Sequence, residues 1–282
     1  MATAVKVPYK VIRAERRGLF SAASWREIWE YRQLLYLFCW REFRSRYKQT
    51  VLGLGWAVLQ PVMTMIVFST LLGRIAKIEA GNGVPYPLFV FSGTLAWQVV
   101  QGGLLRSSSS LVDNGSLLSK VYFPRIYLPM APLTVALVDF CVAFVILLGF
   151  FVWYGVVPSP RILLVFPLLI VLAIAALSVA LWLSAINVDA RDIKHATPFL
   201  AQMWMFLTPV VYPRAKIPVD WLPIYDLNPM VALIEAVRWA LLPDWPAPPV
   251  STVVSSAVVV LVLFVSGFLF FQWRVQTIAD KV

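Results

Sequence analysis

Charge is scarce in this chain, and the side chains that most often do chemistry are scarcer still. Only 13% of its 282 residues are Asp, Glu, Lys or Arg, about half the ~25% of a soluble domain. That excludes an ordinary water-soluble globule. One histidine, His195, and two cysteines, Cys39 and Cys141, leave no metal cluster, no zinc spacing and no disulfide framework. His195, close to Asp192 and Lys194, reads as a solvated loop residue, and the cysteines read as ordinary apolar-surface residues. There is no G-x-x-x-x-G-K-[ST], H-E-x-x-H, C-x-x-C or G-x-S-x-G. P-loop nucleotide binding, zinc proteolysis, dithiol chemistry and nucleophile-elbow hydrolysis therefore have no motif here. The first 50 residues lack a short apolar core with a small-residue cleavage site, so the first apolar run is expected to target the chain and stay in the membrane. No internal repeat and no separate soluble domain are evident.

Apolar surface, by contrast, is plentiful. The chain is 60% hydrophobic. A helix needs about 20 apolar residues to cross about 30 Å of hydrocarbon, and six stretches qualify: 51–72, 88–105, 126–154, 162–186, 193–212 and 250–273. The fifth contains Pro198, Pro209, Gln202 and Thr208. Such a span survives only where neighbours satisfy the freed backbone groups, so it is expected to be kinked and packed inside the bundle. With six spans both termini share a side. Of the 24 Lys and Arg, 18 fall on that side, which places it in the cytosol. The net charge of +10 is confined to loops, so it reads as membrane topology rather than nucleic-acid binding.

The expected fold is an all-α membrane protein. Residues 1–50 form a cytosolic segment with an amphipathic interfacial helix, 51–273 the six transmembrane helices, and 274–282 a cytosolic tail. Ser24-Trp25-Arg26-Glu27 reads as a capping box. Trp25, Ile28, Trp29, Leu35, Tyr36, Trp40 and Phe43 recur at helical spacing, accompanied by Arg26, Arg32, Arg41, Arg44 and Arg46. A basic amphipathic helix lies flat on an anionic leaflet; the other reading is a helix packed on protein. Between spans five and six, Asn228-Pro229 caps a helix over 230–242 in which Glu235 and Arg238 pair at i,i+3. At about 20 Å it is too short to cross and too apolar for an exterior loop. Short re-entrant outer helices are the expectation.

Asp139 is the carboxylate well inside a span. Such a group is either functional or a hydrogen-bonded helix contact. If the chain transports, its energy comes from a partner, and residues 106–125 offer the docking surface. Ser107–Ser110 and the cap Asp113-Asn114 lead to a short helix closed by Pro124, a size that fits a groove in another protein. An ordinary polar loop is the alternative.

Arg46-Tyr47-Lys48-Gln49-Thr50-Val51-Leu52-Gly53, with Trp56 and Gln60-Pro61, resembles the approach to the first span of ABC type 2 exporter permeases, polysaccharide branch, Wzm-like. Leu117-Leu118-Ser119-Lys120-Val121-Tyr122-Phe123-Pro124-Arg125 resembles that family's coupling helix. Asn187-Val188-Asp189-Ala190-Arg191-Asp192-Ile193 resembles its cytosolic turn between spans four and five. Thr208-Pro209-Val210-Val211-Tyr212-Pro213 and Asn228-Pro229-Met230 with Arg238 resemble its outer gate. The resemblance implies a homodimer joined to two copies of a separate ATPase that holds the ATP and Mg, with no cofactor in this chain. It implies a lipid-linked polysaccharide substrate, O-antigen-like, exported across the bacterial inner membrane. Asp113, Asn114, Leu117, Leu118, Lys120, Tyr122, Phe123, Pro124 and Arg125 would couple to the ATPase. Arg41, Arg44, Arg46 and Lys48 would meet the substrate headgroup or simply anchor the helix to lipid.

A moving glycan needs apolar faces without tight sites, and aromatic rings supply them. Trp97, Trp204, Phe206, Tyr212, Trp221 and Tyr225 are the candidates; each could instead be a membrane-belt or packing residue. Other cargo (teichoic acid, drug or another amphiphile) fits the same architecture. A membrane-embedded transferase acting on lipid-linked sugar is disfavoured by the lack of a clustered acidic or histidine site.

Overall fold

The computed structural model describes residue 26 and residues 28–48, 50–118, 120, 122–190 and 192–279. Ser24, Trp25 and Glu27 of the expected capping box lie outside them, as do Gln49, Ser119, Val121 and Arg191. The helices are α1 (Arg32–Tyr47), α2 (Gly55–Phe68, continued as a π-helix over Ser69–Ile75), α3 (Tyr86–Asp113), α4 (Gly115–Leu118), α5 (Tyr127–Trp153), α6 (Val165–Asn187), α7 (Ile193–Phe206), α8 (Leu222–Tyr225), α9 (Pro229–Leu241) and α10 (Val250–Ala279).

Among the described residues, five helical segments are long and apolar enough to cross a membrane: Gly55–Ile75, Tyr86–Asp113, Tyr127–Trp153, Ile162–Asn187 and Val250–Val275. The stretch at 193–212 is different. Its helix has 14 residues, about 21 Å long at 1.5 Å per residue, and it unwinds at Thr208-Pro209. Proline has no N–H to continue the ladder. The span expected to be kinked is thus a short helix followed by irregular backbone.

α3 is the axis of the bundle, packed against α2, α5, α6, α7 and α9. It runs eight residues beyond the expected 88–105 span, so Ser107–Ser110 form buried helix rather than loop. The hydroxyls make this possible. Ser108 Oγ donates to the Leu105 carbonyl at 2.9 Å and Ser110 Oγ to that of Ser107 at 2.7 Å. Ser107 Oγ donates across to the Pro129 carbonyl at 2.6 Å, joining α3 to the start of α5. Small residues do the same for α6, where Ala173, Ala175, Ala176, Ser178, Ala180, Ser184 and Ala185 are buried. Without a hydrophobic drive between helices in lipid, such close approach and cross-helix bonding hold a bundle together.

α1 departs from the expected one-sided pattern. Ile28 and Tyr31 just ahead of it, and Leu34, Leu35, Phe38 and Cys39 on it, pack against the bundle, while Trp29 ahead of it and Tyr36 and Trp40 on its opposite side are exposed. The aromatic content that suggested a single lipid face is divided between two. Nor does the helix touch α5 at one level only. Tyr127 Oη donates to the Ile28 carbonyl, and the other end of α1 reaches Asp139, twelve residues or about 18 Å further along α5. The segment from Ile28 to Tyr47 therefore meets α5 at two levels about 18 Å apart.

Candidate functional site

Two groups of polar side chains stand at opposite ends of the bundle. At the near end, marked by α4 and the α6–α7 turn, residues from distant parts of the sequence meet around Asp113-Asn114. Arg41 Nη2 donates to Asn114 Oδ1 at 2.6 Å. Lys194 Nζ stands 3.5 Å from Asp113 Oδ1, and Ser109 Oγ donates to Asp113 Oδ2 at 2.6 Å. α1, the α3–α4 corner and α7 are thereby tied at adjacent residues. Phe123 is buried against Phe38, ring centroids 5.0 Å apart. Leu117 and Leu118 are half-buried on the core, Pro124 is half-buried, and Lys120 and Tyr122 are exposed. Arg125 donates to the Val275 carbonyl of α10, and burial pulls its pKa below the ordinary guanidinium value. Arg274 pairs with Asp189. The 113–125 segment is anchored by its apolar side and presents Lys120 and Tyr122 outward.

Asp139 has partners, both from the end of α1: Arg46 forms an ion pair with it and Tyr47 Oη donates to it. Burial and the neighbouring carboxylate raise the Tyr47 pKa, so the phenol keeps the proton it donates. Of the four candidate headgroup cations, Arg46 and Arg41 are thus engaged within the protein. Arg44 and Lys48 are exposed.

The far end is built around the broken end of α7. Unwinding a helix frees carbonyls, and here they find donors. Tyr212 Oη takes Phe206 O at 2.6 Å. Asn228 Nδ2 takes Leu207 O at 3.0 Å. Arg238 takes Pro209 O through Nη1 and Val210 O through Nη2, the latter at 2.5 Å. Tyr86 Oη takes Val211 O at 2.5 Å. Irregular backbone at membrane depth is tolerated only when satisfied in this way.

Besides the Leu207 carbonyl, the Asn228 side chain holds three further partners. Its Oδ1 caps α9 by accepting from Met230 N at 3.1 Å and also accepts from Trp204 Nε1 at 2.9 Å, while Nδ2 reaches Thr208 Oγ1 at 3.0 Å. Arg238, 0% exposed, pairs with Glu235 at 3.0 Å and lies over the Phe89 ring at 3.7 Å. Glu235 accepts from Trp245 Nε1 at 3.0 Å. The expected i,i+3 pair is present, but as a buried hub. Gly93 makes room for it, because a Cβ there would strike Arg238 Nη2 and the Val210 carbonyl. Arg214 grips Asp226 through two bonds of 2.9 and 2.5 Å, and Thr252 Oγ1 on α10 donates to the same carboxylate at 3.0 Å.

The candidate pathway aromatics fall into groups. Trp97 and Trp204 meet edge to face at 5.8 Å, but Trp97 is 1% exposed and offers no face to a passing molecule in the single chain. Tyr225 Oη lies 3.3 Å from Tyr212 Oη. Phe206 and Trp221 are exposed. Sequence reasoning did not foresee the part played by Asn228 beyond capping, nor those of Tyr86, Phe89 and Gly93. The signal available was the Thr208-Pro209 break, which demands donors from elsewhere.

An all-helical chain with several membrane-length apolar helices and a satisfied break in one further helix is a multi-pass membrane protein. Residues 33–242 match the ABC-2 type transporter family, and the chain belongs to that family. It is 30% identical to the O-antigen export system permease protein RfbA of Myxococcus xanthus over 260 residues, covering 91% of this chain and 98% of the relative. Identity to the O-antigen export system permease protein RfbA of Klebsiella pneumoniae is 23% over 199 residues (70% and 76%). Identity to the polysialic acid transport protein KpsM of Escherichia coli is 24% over 222 residues (75% and 82%).

Proposed function

We propose that this chain is the membrane subunit of an ATP-driven exporter that moves lipid-linked polysaccharide from the cytosol across the inner membrane. The observation that carries it is the near end-to-end similarity to a permease named for O-antigen export. ATP and Mg belong to a separate ATPase. The near end is then cytosolic, with both termini, and the exposed Lys120 and Tyr122 belong to the surface the ATPase engages. Counting α7 with its irregular continuation gives six crossings, and α8 and α9 are the re-entrant outer helices. α2 leaves Met63, Ile66, Val67 and Leu71 exposed, and α7 leaves Phe199, Leu200 and Met203 exposed. These faces suit lipid or the second copy of a homodimer.

Reconstitution with the partner ATPase tests the proposal. Lipid-linked glycan should stimulate ATP hydrolysis and appear inside inverted vesicles. ATPase activity indifferent to every glycan, with no transport, rejects it.

Within that reading Arg44 and Lys48, exposed and in no ion pair among the described residues, are the two of the four candidates that would meet a phosphate-bearing headgroup. Reversing both to Glu should weaken binding of the lipid-linked substrate by about tenfold or more at low salt, with a smaller effect at high salt because such contacts are screened. Unchanged binding at both ionic strengths would leave them as lipid anchors only.

The tie at Asp113-Asn114 carries another expectation. Asn114→Ala removes the acceptor for Arg41, an exposed contact worth about 0.5–1.5 kcal/mol. Stability should hardly change, while glycan-stimulated ATP turnover falls more than basal turnover. Equal falls in both would assign Asn114 to ATPase docking instead.

A further inference from the structure

Between the π-helical segment Ser69–Ile75 and the loop at 78–85 with the first turn of α3 lies a cavity of about 800 Å³ at the far end, within the ~300–1,000 Å³ of most ligand sites. Ser69, Arg74, Glu79, Asn82, Tyr86 and Tyr154 are among its lining residues. Ser69 Oγ is buried with no hydrogen-bond partner. Arg74 and Glu79 are exposed, and neither forms an ion pair among the described residues. A π-helix is an uncommon and wider turn that recurs at functional sites. Here it lines the cavity with Ser69, Thr70, Gly73 and Arg74.

The chemistry of the wall selects the ligand class. One cation and one anion cancel, so the cavity does not favour a charged headgroup. A carboxylate and a guanidinium offer several acceptors and donors in fixed planes, the Asn82 amide oxygen adds an acceptor while its nitrogen donates to the Asp244 carbonyl at 3.3 Å, and two tyrosines contribute aromatic surface to the wall. That mixture suits a molecule dense in hydroxyls with apolar C–H faces. We propose that this cavity is a carbohydrate-binding site on the exit side, which takes a short uncharged stretch of the glycan as it leaves. The proposal rests on the export reading for its ligand and for which end is outside.

The site is also connected to the broken end of α7. A Cβ at Gly73 would stand 2.8 Å from Tyr86 Cδ1, so the ring packs onto the π-helix at the one place without a side chain. The same residue's hydroxyl donates to Val211 O at 2.5 Å. One tyrosine thus forms the cavity wall and one of the caps on the broken helix, so sugar held there bears on the region that opens for its passage.

The test is photo-crosslinking in the native host, with the full exporter at work. A benzophenone amino acid replaces Ile78, which lines the cavity. Parallel chains carry it at Phe206, a pathway candidate, and at Val145, an exposed apolar position on α5. Glycan adducts are expected at 78 and 206 and not at 145. In a Glu79→Gln background the yield at 78 should fall about tenfold, as for loss of one hydrogen bond to a charged group, with no change at 206. Glycan captured at 206 while 78 captures only lipid, a second copy of this chain or nothing overturns the cavity and leaves the export reading intact. An unchanged yield at 78 in Glu79→Gln also overturns it. No glycan at either position defeats the export reading itself.

Discussion

Arg238→Leu should destabilise the protein by about 3–5 kcal/mol, the range for removing one partner of a buried ion pair. Thermal unfolding in detergent, followed by loss of the monodisperse peak, measures it. The size follows from what the guanidinium touches. Glu235 would be left at a buried site with Trp245 Nε1 as its remaining side-chain donor among the described residues. The carbonyls of Pro209 and Val210 would lose their caps, each at roughly 1–3 kcal/mol for an unsatisfied buried group. The cation–π contact with Phe89 would vanish as well. Arg238→Lys keeps the charge but not the planar fork, and a single ammonium does not reproduce bonds to two successive carbonyls and a carboxylate. Lysine should therefore recover less than half the loss.

The double variant Arg238→Leu with Glu235→Leu separates the two causes. If the ion pair were the whole effect, an apolar pair of similar volume would be nearly neutral. Because the turn after α7 also needs its carbonyls satisfied, the double variant should remain at least 2 kcal/mol below the native protein, the uncapped carbonyls costing about that much. Full recovery would show that the broken helix stands without these caps. Gly93→Ala tests the same hub from the other side, since the added methyl must displace Arg238 or the Val210 carbonyl.

Local features of the molecule are legible in its sequence, and contacts between distant segments are not. Apolar run length located the crossing helices to within a few residues at most ends, because the thickness of hydrocarbon leaves little freedom in a spanning helix. Asn228-Pro229 announced α9, since cap and first-turn proline act locally. Ser107–Ser110 misled, because four hydroxyls in a row read as loop; whether they do depends on whether a neighbouring helix approaches, and sequence spacing is silent on that. The i,i+3 spacing gives Arg238 its pairing with Glu235 but none of its other neighbours, for the same reason. Its neighbours Phe89, Pro209 and Val210 are 149, 29 and 28 residues away, and only the packing of α3 against α9 brings them together. Residue type names candidate aromatics but not where they lie: Trp97 is covered by the core of the chain.

Asp139→Ala should release α1 from the bundle while leaving the bundle itself intact. The carboxylate is nearly buried and its partners, Arg46 and Tyr47, both come from the last turn of α1. Removing it strands a guanidinium that is only partly exposed. Arg46 can swing toward lipid headgroups, however, so the loss falls short of that at Arg238, about 1.5–3 kcal/mol for a hydrogen bond to a charged group. That energy belongs to local opening rather than to global unfolding. Cys39, half-buried where α1 packs on the core, reports the opening directly. In a Cys141→Ser background a water-soluble maleimide should modify Cys39 about 10- to 100-fold faster in Asp139→Ala than in the parent, the factor that such an energy implies, with the unfolding temperature shifted little. Exchanging the charges, Arg46→Asp with Asp139→Arg, should restore slow labelling. A proton-relay role would give a different pattern. Asp139→Asn would then abolish export at every pH, and the charge-swapped pair would stay inactive despite a docked helix. Slow labelling in Asp139→Ala would show that the aromatic contacts of Phe38 and Tyr31 hold α1 without the ion pair.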